Sequence, residues 1–421
     1  MKEIQARQSM DGALSIPGSK SISHRALIAA GLAEGQSRIK NFLECEDTLF
    51  TLGALRELGI KISGRGEEIA VLGIGGRFAP SSGIKAIYLG NSGTSFRLLL
   101  STVALGKGHY LLTGTPRMRK RPVGGLVKSL NKLGVEALCT GEEGFPPVFV
   151  KANGIRGGKV EIEGNKSSQY ISSLLLAGPH AERDEEIEVK GELISRPYVD
   201  LTLDVMGQFG VDVVRDGYNR FSIPAGQGYK ACEFSTEGDV SSASYFWAAA
   251  AVTGGTVATE NIRPFTTKQG DIAFLRRLEE MGCWVDRRED QVVVRGASLS
   301  GIDVDMSSMP DMVPTLAAVA LFAEGKTVIR NVPHLRYKES NRLQSIALEL
   351  GKLGGHIEEL PDGLIIHGGR ALSGAIVDSH RDHRIAMSLA VVGLRVPGIT
   401  VKEEGCVKKS FPQFWELWGS L

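Results

Sequence analysis

A chain of 421 residues is too long for one ordinary core and implies two or three domains. Its 42% hydrophobic and 23% charged residues are those of a globular protein, and a net charge of +1 excludes a global basic field for nucleic acid or an anionic membrane. Five scattered cysteines without a CxxC pair argue for a reducing compartment and against a structural zinc site.

The opening "MKEIQARQSM" has no apolar core of a targeting signal, and runs such as "TLAAVALFA" are too short to span a bilayer, so a cytoplasmic location is expected. The first strong element is "PGSKSISHRALIAAGLAEG" from Pro17, a polar turn entering an apolar helix. Its serines read as N-caps, and its free N–H groups, with Lys20 and Arg25, suit an anion. The same pattern returns from Gly90 ("GNSGTSFRLLLSTVALGKG"), Gly164 ("GNKSSQYISSLLLAG") and Gly238 ("GDVSSASYFWAAAAVTGG"). Two further copies start at Met309 ("MPDMVPTLAAVALFAEG") and Asp382 ("DHRIAMSLAVVGLRVPG"), all six lying 71 to 74 residues apart.

A second marker keeps the same phase: an amphipathic helix stopped by glycine and followed by β-branched residues, at Gly59, Gly134, Gly210, Gly282 and Gly354. Polar loops after a strand form a third series, including "TPRMRKRP", "ISRPYVD", "RYKESNR" and "VKKSFP". Each unit thus reads as an α/β repeat with one helix apolar on all sides, which belongs inside, and one amphipathic helix, which belongs outside. Such enclosed helices speak against a solenoid. Three units make a domain: residues 19–237 form the first, and residues 1–18 with 238–421 the second, the N-terminal strand closing the latter.

If the inner helices of a domain point the same way, their polar starts cluster, and two cation-rich rims would frame a cleft for a small, multiply anionic substrate. No Walker A loop, Rossmann fingerprint or G-x-S-x-G elbow is present. "HRDHR" has the H-x-x-H spacing of a metal pair but no third ligand, so no metal is expected.

"PGSKSISHRAL", "LGNSGTSFR", "PRMRKRP", "SSQYISSLLLA", "SRPYVDLT", "EGDVSSASYF", "MPDMVPTLA", "RYKESNRL", "DHRIAMSLA" and "KKSFPQF", in this order along the whole chain, closely resemble the 5-enolpyruvylshikimate-3-phosphate synthases. The resemblance implies a two-domain inverse α/β barrel of six βαβαββ repeats, three per domain, with the active site in the interdomain cleft. It implies transfer of the enolpyruvyl group of phosphoenolpyruvate to the 5-hydroxyl of shikimate 3-phosphate, with no cofactor, by a monomer. Carried over by motif, Lys20, Ser21, Arg25, Ser167, Ser168, Gln169 and Ser195, with Asp311 and Lys338, would bind shikimate 3-phosphate. Lys20, Asn91, Gly93, Arg121, Gln169, Arg342, Arg384 and Lys409 would bind phosphoenolpyruvate, and Asp311, Lys338 and Glu339 would move protons.

The chain departs from many members at Ser92, Leu98 and His334, where Ala, Pro and Asn are usual; these changes bear on inhibitor binding rather than reaction class. Two rivals stand beside this reading. The sister transferase acting on UDP-N-acetylglucosamine typically carries a cysteine on the loop that here reads "TPRMRKRPVGG", without one. A non-catalytic anion binder would gain nothing from Asp311 and Glu339 among its cations.

Overall fold

The computed structural model describes residues 1–421, which form two compact units: Gly18–Thr236, and Met1–Pro17 together with Glu237–Leu421. We call these the first and second unit. No helix is long and apolar enough to cross a membrane.

Each repeat contributes an inner and an outer helix. In the first unit these are α1 (Lys20–Leu32) and α2 (Glu46–Glu57), α3 (Gly93–Ala104) and α4 (Gly124–Lys132), α5 (Ser168–Ala177) and α6 (Pro197–Gln208). The second unit has α7 (Val240–Thr253) and α8 (Phe274–Glu280), α9 (Val313–Ala320) and α10 (Arg342–Lys352), α11 (His383–Gly393) and α12 (Phe414–Ser420). The odd-numbered helices are buried along almost their whole length, as their all-round apolar sequences require. In α7, Tyr245, Phe246 and Trp247 are wholly buried, and the Trp247 indole N–H donates to Thr259 Oγ1 at 2.8 Å. Burial of each such ring contributes about 1.5–3 kcal/mol. Outer helices bury one face; α10 buries Leu343, Ile346 and Leu350, spaced at three and four residues.

A repeat's strands form one small sheet. In the second repeat Ile84–Tyr88 pairs in parallel with Lys107–Thr113, which pairs antiparallel with Val148–Asn153, and Glu136–Cys139 lies at the edge. The parallel step needs a crossover, and the inner helix supplies it. Three sheets are completed by strands from far along the chain. Glu233–Ser235 pairs with Arg38–Lys40 in the first unit, while Gly12–Ser15 pairs with Val257–Glu260 in the second. Lys2–Glu3 also joins Thr400–Val401, so the sixth repeat has three strands. Hydrophobic residues accordingly gather into two separate cores, one per unit.

The two points where the chain passes between units are built alike. Asn41 (φ 52°) and Asn261 (φ 64°) end strands in the left-handed conformation that asparagine tolerates. The Asn41 amide donates to Thr236 O and the Asn261 amide to Ile16 O, securing the returning strands. A Cβ on Gly18 would lie 1.9 Å from Asn41 O, so only glycine fits there.

Candidate active site

The first helix starts differ in how they are capped. Ser92 and Ser167 accept hydrogen bonds from Ser95 N and Gln169 N, as N-caps do. Ser19 does not, against the expectation from its sequence: its hydroxyl is buried, makes no hydrogen bond, and leaves the first turn of α1 uncapped. One turn later Arg25 is buried with only neutral partners. Its Nε donates to Thr202 Oγ1 (2.7 Å), Nη1 to Ser21 O (2.8 Å), and Nη2 to Tyr198 O and Ser172 Oγ (3.2 and 3.3 Å). Burial lowers its pKa to about 10, which still leaves it cationic at neutral pH. A buried cation without an acid beside it is costly and invites an anion. Lys20 pairs with Asp47 at 3.3 Å. Ser195 is buried at φ 53°, a strained conformation for serine, and its carbonyl accepts from Tyr198 N, which ties this loop to the Arg25 contacts.

At the start of α3 two guanidinium groups converge. Arg121 donates to Asn91 O at 2.9 Å; Arg97 donates to Gln169 Oε1 at 2.8 Å and Pro122 O at 3.0 Å. The Gln169 amide in turn donates to Thr94 Oγ1, so its orientation is held at both ends. Both guanidinium groups lie over Gly93: a Cβ there would stand 2.5 Å from Arg121 Nη2 and 2.7 Å from Arg97 Nη1. Of the basic run "RMRKRP", Arg119 and Lys120 face solvent, Arg117 is half-buried and Arg121 is buried, so the loop is only partly surface.

The second unit holds a denser constellation. Arg342, at the start of α10, is 1% exposed and bridges three carboxylates. It donates to Asp311 Oδ1 (2.7 Å), Glu339 Oε2 (2.9 Å) and Asp382 Oδ2 (2.8 Å). Burial alone would lower its pKa, but Asp382, Glu339 and Asp311 together raise it above the usual arginine value. The other oxygen of Asp311 takes Arg384 Nη2 at 2.7 Å. Lys338 Nζ stands 3.9 Å from Asp311 and Lys409 Nζ 3.8 Å from Glu339. Pro314 sits at the start of α9, which begins only at Val313; Asp311 therefore lies in a 3₁₀ turn ahead of it. His334 is half-buried beside this group, its two ring nitrogens buried and neither hydrogen-bonded. Burial first, then the nearby Lys338 charge, lowers its pKa to about 3, so it is neutral.

Asp311, Lys338, Glu339, Arg342, Arg384 and Lys409 thus form one ionic cluster. Asn91, Gly93, Arg121 and Gln169 adjoin one another in the first unit through Arg97, and Arg25, Ser21 and Ser195 adjoin through Tyr198. The spacing of motifs did not single out Asp382, Arg97 or Asp47. Asp382 both caps α11, accepting from Arg384 N at 3.0 Å, and grips Arg342; at a helix start an aspartate reads only as a cap. The two histidines of "HRDHR" go different ways in the fold: His380 bonds Glu349 at 2.7 Å while His383 lies beside Asp382.

A family model described as EPSP synthase (3-phosphoshikimate 1-carboxyvinyltransferase) matches residues 4–418. The chain is 47% identical over its full length to the 3-phosphoshikimate 1-carboxyvinyltransferase of Syntrophobacter fumaroxidans, covering 99% of that protein. It is 46% identical to the enzyme of that name from Methanoculleus marisnigri, over 97% of this chain and 96% of that one. An EPSP synthase structure from Acinetobacter baumannii superimposes with a TM-score of 0.81 at 32% identity, over 99% of this chain and 97% of the other. With the match spanning both units and every motif from Lys20 to Lys409, the chain belongs to the EPSP synthase family.

Proposed function

We propose that these two sets of residues carry out the family's reaction, enolpyruvyl transfer from phosphoenolpyruvate to the 5-hydroxyl of shikimate 3-phosphate, as follows. Lys20, Ser21, Arg25, Ser167, Ser168 and Ser195 take the shikimate phosphate and ring hydroxyls, the phosphate offsetting the buried charge of Arg25. Asn91, Gly93, Arg121, Arg342, Arg384 and Lys409 take phosphoenolpyruvate, with Lys20 and Gln169 touching both ligands. Paired arginines suit a carboxylate and a phosphate because each presents two parallel N–H groups.

Addition requires a proton to leave the 5-hydroxyl and another to reach the methylene carbon of phosphoenolpyruvate. Asp311 is suited to accept the hydroxyl proton, because two arginines fix its orientation and Lys338 stands beside it to stabilise charge or return a proton. Glu339 is suited to protonate the methylene carbon. It lies between Arg342 and Lys409, and when the anionic substrate offsets those cations, proton uptake by Glu339 becomes easier. The tetrahedral intermediate then forms among fixed cations that already point at its charge; phosphate leaves as Glu339 takes back a proton from the new methyl group, which restores the carbon–carbon double bond.

The observation that carries this reading is that Asp311 and Glu339 share the buried Arg342, with Lys338 beside Asp311 in the same cluster. Asp311→Asn and Glu339→Gln should each slow phosphate release by about 10²–10⁴-fold while shikimate 3-phosphate still binds, as read by calorimetry. Wild-type turnover in both variants would remove the assignment.

A further inference from the structure

We propose a divalent transition-metal site on the outer face of the hairpin Gly363–His367 with His356–Leu360, formed by His356, Glu358 and His367. His356 and His367 are directly opposite in the antiparallel register, and Glu358 follows His356 by two residues, which puts it on the same face of the strand. That face looks outward: Leu364 and Ile366 on the other side are buried, whereas the three polar residues are exposed or half-buried. The two imidazoles stack with centroids 4.3 Å apart and planes 13° from parallel, and Glu358 Oε1 lies 2.7 Å from His367 Nε2. One ligand-competent atom from each residue lies within 4.8 Å of the other two.

This donor set has the chemistry of a Zn²⁺, Ni²⁺ or Cu²⁺ site, since two imidazoles and one carboxylate suit borderline cations. Metal–nitrogen and metal–oxygen bonds of about 2.0–2.2 Å place ligand atoms roughly 3.4 Å apart around a tetrahedral ion, water taking the fourth place. Side-chain rotation alone covers that adjustment: the Glu358–His367 contact opens slightly and the His356 ring closes in. For His367 Nε2 to ligate, the hydrogen in its contact with Glu358 must leave; a neutral ring carries it on Nδ1 instead, and an imidazolium releases it to water. Lys326 pairs with His367 on the next strand, and its charge opposes a cation, so the site is of modest affinity. A bound ion would staple the open end of a hairpin whose tip residues Leu360 and Pro361 accept hydrogen bonds from Arg336.

The test is titration of the tag-free full chain with Zn²⁺ against a chromophoric chelator, with thermal unfolding measured alongside. One equivalent should bind, raising the unfolding midpoint. His356→Ala, His367→Ala and Glu358→Gln should each weaken binding about ten-fold or more without shifting the metal-free midpoint. Lys326→Ala should tighten it. The proposal is overturned if no saturable binding occurs, or if binding persists in both histidine variants and disappears instead when the cysteines are replaced.

Discussion

At the scale of single residues, the site depends on charges held where water does not screen them. Gly93 shows how tight that packing is. Its missing side chain leaves the space over which Arg97 and Arg121 cross, and a methyl group would force both guanidinium groups aside. Gly93→Ala should therefore raise KM for phosphoenolpyruvate several-fold, with KM for shikimate 3-phosphate and the unfolding midpoint little changed; steady-state kinetics with each substrate varied separates the two. Glu185 illustrates a buried carboxyl group outside the cluster. Both its oxygens are buried without a hydrogen bond at the start of the strand Glu185–Lys190, and burial raises its pKa to about 8 from the usual 4.5. The folded protein thus prefers the protonated acid. Its contribution to stability is complete below about pH 4.5 and is lost as pH rises toward 8, a difference of up to about 5 kcal/mol. Glu185→Gln should remove that component, so the variant gains stability over wild type at pH 8 but not at pH 5 in denaturant titrations. An equal difference at both values would contradict it. Neither Gly93 nor Glu185 stands out in sequence for these reasons, because each depends on neighbours from distant segments.

At the scale of elements, the loop before α11 is held by the outer helix α10. His380 and Arg381 both adopt left-handed backbone (φ 52° and 54°), a cost of about 1–2 kcal/mol per residue that surrounding contacts must cover. Glu349 supplies much of that hold. Its buried carboxylate accepts from Asp378 N at 2.9 Å and meets the His380 ring and Lys352 Nζ at 2.7 and 2.8 Å. The loop leads straight into Asp382 and Arg384, so Glu349 positions the cluster from behind. Glu349→Gln should lower stability by about 2 kcal/mol. It should also reduce kcat at saturating substrates by several-fold; stability loss with unchanged kcat would leave Glu349 a structural residue only. The turn-plus-helix repeat itself was legible, because six helices apolar on every side require enclosure and recur in register. Helix starts were less so. Serine before an apolar run predicts a cap at Ser19, yet the chain packs Gly18 tightly against Asn41, and the buried Ser19 hydroxyl makes no cap hydrogen bond. Similarly, Pro314 and the turn at Pro310–Met312 shorten α9 and free Asp311 for the ionic cluster.

At the scale of the whole molecule, the second unit is sequence-discontinuous because the N-terminal strands Lys2–Glu3 and Gly12–Ser15 complete its sheets, whereas the first unit is one continuous segment whose last strand, Glu233–Ser235, returns to its first repeat. Gly12–Ser15 pairs with residues about 245 positions away, and Glu233–Ser235 with residues about 195 away. Repeat phase indicated the first of these, whereas the short segment "EFS" carries too little pattern to indicate its partner. The gathering of cations at the polar turns and loops was legible from repeat phase, as at Lys20, Arg25, Arg342 and Arg384, while their proposed binding roles come from the resemblance. Residues that bind other side chains instead, such as Asp382 and Arg97, look like routine caps or helix surface until the fold assembles them. The proposed reaction draws on residues of both units, and its products provide the most direct test. Phosphate release from phosphoenolpyruvate should be measured with shikimate 3-phosphate and, separately, with UDP-N-acetylglucosamine as acceptor. Release with shikimate 3-phosphate alone, lost in Lys20→Ala, is the predicted result. Release only with the nucleotide sugar, or with neither acceptor, would contradict the account.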